Sequence, residues 1–153
     1  MKIIIYPNKI LSQVAERVEP EDDVRALIKS MILTMRRHKG GGLAAPQIGV
    51  SKRVVVWEDF KEGRCFINPV IVHSQGKVKS REGCLSVPNI QRDINRKRLI
   101  EVVGFNLAGE SLIFNLTNRE AIVVQHEMDH LDGITILDGK KRRRHESGYK
   151  KTR

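Results

Sequence analysis

Two histidines one helical turn apart form the sequence pattern best suited to chemistry, His126-Glu127-Met128-Asp129-His130. Side chains at positions i and i+4 project from the same face of a helix, so both imidazoles can bind one metal ion. Glu127, next to the first histidine, would face the side of the ion where water binds. The pattern therefore predicts a hydrolytic metal site with a carboxylate base. A surface helix with two incidental histidines is the competing interpretation, and the apolar residues around the pair count against it.

The third metal ligand is expected upstream of the histidine pair. A hydrolytic metal site needs three protein ligands and one open position. Residues 131–137 contain no histidine, and His145 and Glu146 lie in a strongly basic tail. Cys84 is the better ligand, although a cysteine in a turn, taken alone, is more often a small buried residue. Cys65 has only that structural interpretation, as a small apolar residue on a strand.

The histidine pair belongs to a helix whose ends are marked in the sequence. Thr117 and Glu120 have the spacing of a capping box, in which each side chain binds a free backbone amide of the other residue. The helix is expected to reach about Leu131, and Gly133 would end it. Its apolar residues occupy several faces, which is typical of a buried helix.

An earlier amphipathic helix and several strands complete the expected fold. Apolar residues recur with helical spacing from Val24 to Met35, with acidic residues in the first turn and glycines 40–42 at the end. Strand-like runs are found at 1–6, 53–58, 65–73, 99–107 and 111–116, the last two joined by a hairpin turn. This order predicts an α+β fold, with mixed or antiparallel β-sheets packed around the buried late helix.

Length, composition and charge indicate one catalytic domain with a basic tail. The chain has 153 residues, of which 40% are hydrophobic and 30% charged, as in a single globular domain. No apolar run approaches the ~20 residues that span a bilayer. The net charge of +10 is concentrated in residues 140–153, which hold eight Lys or Arg and one acid. We therefore expect a catalytic domain at 1–139 and a basic C-terminal tail at 140–153.

Three segments resemble the three motifs of peptide deformylases, in the family's order and roughly its spacing. They are Gly40-Gly41-Gly42-Leu43-Ala44-Ala45-Pro46-Gln47, Glu82-Gly83-Cys84-Leu85-Ser86 and His126-Glu127-Met128-Asp129-His130. The similarity extends from residue 3 to about residue 138. It implies an enzyme that hydrolyses the N-formyl group from the N-terminal formylmethionine of new polypeptides and releases formate.

The resemblance also implies roles for individual residues. One divalent ion would be held by three ligands, Cys84, His126 and His130. Glu127 would take the proton of the attacking water and pass it to the departing amine. The side-chain amide of Gln47 and the backbone N–H of Leu85 would stabilise the oxygen that becomes negative. Substrate-binding residues would be Gly40, Gly41, Gly42 and Gly83 beside the peptide, and Ile122 and Val123 beside the methionine side chain.

The ion and the surroundings of the site follow from the same resemblance. Iron(II) is implied as the native ion, with zinc or nickel as alternative occupants of a site of one cysteine and two histidines. Glu82 and Asp129 are interpreted as supporting residues that pair internally with an arginine such as Arg96. Gly41 and Ser80 stand where the family usually has apolar residues, which bears on substrate preference and not on the reaction.

Partners and location are also expectations at this point. The substrate would be a formylmethionyl peptide, and the enzyme would act as a monomer without a membrane partner. The N-terminus lacks the pattern of a signal peptide, and the short C-terminus resembles compact deformylases, including some carried by phages. We therefore expect a bacterial cytoplasm, or that of a host if the protein is phage-encoded. The basic tail is either a solvated end or a segment that docks on ribosomal RNA.

Two other functions are considered. A metallopeptidase of the ordinary His-Glu-x-x-His kind would take a third ligand downstream, where the sequence offers poor candidates. A small basic nucleic-acid-binding protein with a structural metal would use four protein ligands and would not need Glu127. Release of an amine from a formylmethionyl peptide, measured with and without Glu127, separates all three.

Overall fold

The computed structural model describes residues 1–59 and 62–139. Its α-helices are α1 (Arg25–Arg37) and α2 (Asn118–Leu131), and two 3₁₀ helices lie at Lys9–Ser12 and Ala45–Ile48. The strands are β1 (Gly42–Ala44), β2 (Val54–Asp59), β3 (Glu62–Gln75), β4 (Val78–Cys84), β5 (Val87–Arg96), β6 (Leu99–Phe105) and β7 (Ser111–Thr117). None of the helices in these ranges is long and apolar enough to cross a bilayer. The predicted basic tail lies outside the described residues.

The strands form one five-stranded sheet and one separate hairpin. The sheet has the order β1-β2-β3-β6-β7, and β4 pairs with β5 alone. Every pair of these strands is antiparallel. With two α-helices added, this architecture confirms the α+β prediction. The β4–β5 hairpin carries the predicted cysteine ligand at its turn. This hairpin is not among the strands predicted from the sequence.

Strand β2 explains why the two helices lie on opposite faces of the sheet. Successive side chains of a strand point to opposite faces. Val55 and Trp57 pack with residues of α2, such as Val124. Val54 and Val56 pack with residues of α1. A run of four consecutive buried apolar residues is therefore required, because both faces of this strand are covered.

Helix α2 lies between the sheet and the β4–β5 hairpin. Its apolar side packs on the sheet, and polar bonds hold the hairpin against its other side. Gln125 accepts a hydrogen bond from the backbone N–H of Lys97 at 2.9 Å and donates one to the carbonyl of the same residue at 2.8 Å. Nine residues of this helix are buried, which agrees with the expectation that it is a buried helix. Gln125 therefore serves to join the helix to the chain that leaves the hairpin.

Two local predictions, the N-terminal strand and the capping box of α2, are wrong. Residues 1–5 form no strand; instead, the Ile4 N–H donates to the carbonyl of Gln47 and the Tyr6 N–H donates to that of Ser86, both at 2.8 Å. Thr117 is the N-terminal cap of α2, but its side chain makes no capping bond. Strand β7 runs directly into the helix there, and Asn118 takes a left-handed backbone with φ of 51° to make the turn. The capping box therefore does not form.

The ends of α1 also differ from expectation. The helix begins at Arg25, so the acidic residues precede its first turn, and the carboxylate of Asp23 accepts a hydrogen bond from the Arg25 N–H at 3.1 Å. At the other end Lys39, not a glycine, takes the left-handed conformation, with φ of 54°. The three glycines that follow are therefore not needed to end the helix, and their role lies in the cleft.

Candidate active site

An open cleft of about 900 Å³ lies between the hairpin, α2 and the segment that leads into β1. We call residues 40–42, all glycine, the glycine arm. The arm lines one side of the cleft, and side chains of β4 and β5 line another. Residues Ile122, Val123, His126 and Glu127 form the wall that belongs to α2. Three segments far apart in the sequence thus meet around one cavity.

The deep end of the cleft holds three side chains that fit a metal ion. One ligand atom from each of Cys84, His126 and His130 lies within 4.8 Å of the others. The Cys84 Sγ lies 3.3 Å from the Nε2 of His130. Two such ligands on a tetrahedral ion would be about 3.5 Å apart, given metal–sulfur and metal–nitrogen bonds of about 2.3 and 2.0 Å. The donor set therefore suits one borderline-soft divalent ion.

A buried ion-pair network fixes the orientation of His126. Glu82 accepts a hydrogen bond from the Nδ1 of His126 at 2.9 Å. Arg96 donates twice to Glu82, at 2.8 Å each, and once to Asp129 at 2.6 Å. Burial raises the pKa of Glu82, but the hydrogen bonds from Arg96 and His126 outweigh burial and bring the pKa to about 2. Because an ionised carboxylate only accepts, Nδ1 carries the proton and Nε2 is left to bind metal.

The two histidines have opposite electrostatic surroundings. Burial lowers the pKa of His126, but Cys84 and Glu82 outweigh burial and raise it to about 10. Burial, together with the neighbouring His126, lowers the pKa of His130 to about 3. Cys84 and Glu82 therefore favour a positive charge beside His126, and a bound divalent ion supplies one. His130 is already in the neutral form that binds metal.

Glu127 lies beside this cluster on the wall of the cleft. It follows His126 on α2, and its Oε2 is buried with no hydrogen-bond partner within the described ranges. Burial raises the pKa of Glu127 to about 7, against the lowering effect of His126 and Arg96. A carboxylate that lines a cleft, has an unpartnered oxygen and has a pKa near neutrality is suited to general acid–base catalysis.

Gln47 is oriented by its neighbours so that its amide nitrogen points toward the cluster. The Ala44 N–H donates to the Oε1 of Gln47 at 2.8 Å, which fixes the amide orientation, because Ala44 supplies a donor. The Nε2 of Gln47 donates to the Oγ of Ser86 at 3.3 Å and lies 3.6 Å from the Sγ of Cys84. Leu85, between Cys84 and Ser86 in the hairpin turn, also lines the cleft. Gln47 and Leu85 therefore border the same small region beside Cys84.

The glycine arm packs against α2, most closely at Gly42. A Cβ atom on Gly42 would lie 2.7 Å from the Oε1 of Glu127 and 2.8 Å from a methyl group of Val123. A Cβ atom on Gly41 would lie 3.5 Å from Val123, which is an ordinary contact distance. Absence of a side chain is therefore required at Gly42, whereas Gly41 has room for one.

Replacing Gly42 with alanine is expected to reduce activity by about 10²-fold, because the new methyl group would displace the Glu127 carboxylate by a fraction of an ångström or more. The measurement is kcat on a formylated peptide, the substrate that the sequence resemblance implies, together with the urea midpoint of unfolding. Gly41→Ala is the matched comparison, since it adds the same methyl group one residue away, and it should lose far less. Equal losses in the two variants would contradict this account of the arm.

The structure brings the predicted site residues together. The proposed ligands Cys84 and His126 line the cleft, as do Glu127, Gln47 and Leu85. So do the residues expected to bind substrate, Gly40, Gly41, Gly42, Gly83, Ile122 and Val123. His130 lies behind them and is 1% exposed. The expected pairing of Glu82 and Asp129 with Arg96 is confirmed.

Two features of the cleft were missed by the sequence analysis. Ser86 bonds Gln47, although its motif had been noted without a role for the serine. Arg119 lines the outer part of the cleft. It precedes Ile122, Val123 and His126 by three, four and seven positions, so helical spacing alone was a sufficient signal for it.

Comparison with known proteins gives a consistent result. The model of the polypeptide deformylase family matches residues 1–146. The peptide deformylase of Desulforudis audaxviator is 44% identical over 140 residues, which cover 90% of this chain and 91% of that protein. The solved peptide deformylase of Legionella pneumophila is 38% identical with a TM-score of 0.86, covering 90% of this chain and 83% of that one. A probable peptide deformylase from Synechococcus phage S-SSM7 is 37% identical with a TM-score of 0.86, covering 90% and 98%.

The match spans nearly the whole chain, and the matched region contains the cysteine, the histidine pair and the glutamate that meet in the cleft. The chain therefore belongs to the polypeptide deformylase family, whose members are metal-dependent hydrolases that remove the formyl group from N-formylmethionyl peptides.

Proposed function

We propose that this cleft deformylates N-formylmethionyl peptides with Glu127 as its acid–base group and with Cys84, His126 and His130 as the ligands of one divalent ion. One observation carries the proposal: the three ligand atoms lie within 4.8 Å of one another, at a cleft that Glu127 also lines. When bound, the ion supplies Lewis-acid chemistry, polarising an acyl oxygen and making water more acidic.

Glu127 moves the proton in this proposal. Water adds to the formyl carbon and gives a proton to the free Oε2 of Glu127, which is buried and without a hydrogen-bond partner among the described residues. When the carbon–nitrogen bond breaks, the same proton passes to the departing amine, so formate and a free N-terminal methionine result. The pKa of about 7 suits both transfers, because the carboxyl group must accept the proton and then release it.

The negative charge that develops on the formyl oxygen requires donors already in place. The proposed donors are the Nε2 of Gln47 and the backbone N–H of Leu85. Support for Gln47 comes from the Ala44 N–H, which holds its Oε1 and thereby directs Nε2 toward Cys84 and Ser86. Gln47 therefore needs no reorientation during the reaction.

The substrate is proposed to lie extended along the glycine arm. An extended peptide can pair with bare backbone, as a strand added to a sheet edge does. Strand β1 begins at Gly42 and is an edge of the five-stranded sheet. Gly83 would approach the peptide from the hairpin, and Ile122 with Val123 would contact the methionine side chain. All of these residues belong to one chain, so we propose that the enzyme acts as a monomer.

Iron(II) is the proposed native ion, with zinc or nickel as occupants of the purified protein. One thiolate and two imidazoles are borderline-soft donors that accept any of the three. The test is anaerobic purification with iron(II), followed by amine release from a formylmethionyl peptide and by metal analysis. The iron form should turn over fastest and lose activity in air, the zinc form should be air-stable, and chelation should reduce both to background. A zinc form as fast as the iron form would refute the choice of iron, and activity after complete metal removal would refute the site.

The basic tail is proposed to dock on ribosomal RNA, close to emerging chains. The support is its charge of eight basic residues against one acid, since basic segments neutralise phosphates and release counterions. The test is co-sedimentation with ribosomes at increasing salt, comparing the full chain with a variant whose five basic residues at 140–144 are replaced by glutamine. Salt-sensitive binding that the variant loses, with activity on free peptides retained, is expected. Absent or salt-insensitive binding would refute it.

The cytoplasm is the proposed location. Both cysteines are free thiols, and Cys84 binds metal only as a reduced thiolate. Reducing compartments keep thiols in that state. Fractionation of producing cells, followed by detection of the chain, tests the location.

A further inference from the structure

The outer part of the cleft is positively charged. Arg98 and Arg119 line it, and both side chains are exposed. Among the described residues that line the cleft, the only acidic ones are Glu82 and Glu127. Glu82 is bound to Arg96 and His126, and Glu127 is the proposed acid–base group beside the metal ligands. A ligand in the outer cleft therefore meets the exposed cations of Arg98 and Arg119, and none of the described acidic side chains of the cleft is available to it.

Neither of these arginines is neutralised by its surroundings. Among the side chains of residues 1–59 and 64–139, no carboxylate oxygen lies within 4.0 Å of the guanidinium of Arg98 or Arg119. Arg81, the third arginine of the cleft, differs because it pairs with Asp93 at 3.2 Å. Glu58, whose backbone N–H donates to the carbonyl of Gly41 at 3.0 Å, is paired with Arg36 at 3.1 Å.

The distance along α2 from Arg119 to Glu127 determines which residues of a bound peptide Arg119 can contact. It is eight residues before Glu127 on α2, which is about 12 Å along the helix axis. An extended peptide advances about 3.3 Å per residue, so a peptide whose formyl group lies at Glu127 presents its second and third residues near Arg119. Gly41 does not block the approach of a peptide to Arg119. It has no side chain, and even a Cβ atom at this position would lie 4.0 Å from the Nη2 of Arg119.

We propose that Arg98 and Arg119 make this enzyme select formylmethionyl peptides that carry Asp or Glu at the second or third residue. A guanidinium binds a carboxylate through paired hydrogen bonds, a geometry that lysine cannot reproduce. Arg98 is adjacent to the start of α2, where its carbonyl accepts the N–H of Asn118 at 2.9 Å. The two arginines therefore approach the same stretch of peptide. This selectivity rests on the proposed function of the cleft, which it extends to the next residues of the substrate.

The experiment compares kcat/KM for amidated peptides that differ only in charge. The substrates are formyl-Met-Asp-Ala, formyl-Met-Ala-Asp and their asparagine counterparts, assayed with the metal-loaded full chain. The acid-to-amide ratio should be about 3- to 10-fold, the size given by one or two exposed ion pairs. It should fall toward one in Arg98→Gln/Arg119→Gln and in the wild type at 1 M salt, where such pairs are screened. Arg92→Gln, at an exposed arginine of β5 that does not line the cleft, should keep the wild-type ratio.

The outcomes separate this inference from the function on which it rests. Wild-type activity on asparagine peptides with a ratio near one would overturn the selectivity and leave deformylation intact. No activity on any formyl peptide would overturn the proposed function itself. A short RNA oligonucleotide that inhibits the wild type but not the double variant, with no acid preference in peptides, would assign the two arginines to nucleic acid and overturn the inference.

Discussion

Replacing Glu127 with glutamine is expected to lower kcat by about 10²- to 10⁴-fold, the usual contribution of a general acid–base group. Glutamine has the same shape but cannot take a proton from water or return it to the amine. The three proposed metal ligands are untouched, so metal content should equal that of the wild type. The measurement is the rate of amine release from a formylmethionyl peptide at saturating substrate, with metal content determined on the same samples.

Glu120→Gln is the matched control for this variant, because it makes the same change on the same helix and Glu120 does not line the cleft. It should remain within about twofold of the wild type, as most surface substitutions away from special features do. If Glu127→Gln retained full activity with full metal content, Glu127 would not be the acid–base group. If it lost metal in proportion to activity, its role would be structural.

Replacing Arg96 with methionine is expected to destabilise the fold by about 3–5 kcal/mol. Methionine fills similar space, but it leaves the carboxylates of Glu82 and Asp129 buried without their cation. Arg96 is 2% exposed and makes three hydrogen bonds to these two residues. Unfolding of the zinc-loaded protein in urea, followed by circular dichroism, measures the change in free energy of unfolding.

The same hairpin supplies the control for Arg96. Arg81 also pairs with a carboxylate, that of Asp93 at 3.2 Å, but its side chain is 66% exposed. Arg81→Met should therefore shift the urea midpoint far less, because solvent screens an exposed pair and rehydrates its partner. Because Glu82 orients His126, Arg96→Met should also weaken metal affinity by about 10- to 100-fold in a chelator competition. Similar midpoints for the two variants would show that the buried network is not important for stability.

Short segments of the sequence were sufficient to predict several features of the candidate site and of the fold. The helical spacing of His126 and His130 placed two imidazoles on one face, and the structure keeps them there with ring centroids 5.1 Å apart. Strands β2, β3, β6 and β7 and both α-helices were also expected close to their observed positions. Such features depend on side-chain periodicity within a few consecutive residues, which local backbone geometry repeats wherever the element forms.

Other local predictions failed where distant parts of the chain decide the backbone. Residues 1–5 have the apolar pattern of a strand, but their amides bond the segments that carry Gln47 and Ser86. Thr117 and Glu120 have capping-box spacing. However, β7 runs directly into α2, and Asn118 makes the turn with a left-handed backbone. In both cases hydrogen bonds to a distant part of the chain set the local backbone; in the second, the Asn118 N–H donates to the carbonyl of Arg98 at 2.9 Å.

The position of His126 and His130 on one face of a helix, with Glu127 beside them, was thus determined by the sequence alone. Only the tertiary structure decided that Cys84, 46 residues before His130, comes within 3.3 Å of that histidine. It also decided that Gly42 must lack a side chain, and that Arg119, whose side of α2 helical spacing already gave, has no acidic partner among the described side chains. The physical reason is that helical spacing is a property of neighbouring residues. These contacts, by contrast, exist because the Arg96 ion pairs and the apolar residues packed on both faces of the sheet hold hairpin, helix and sheet together.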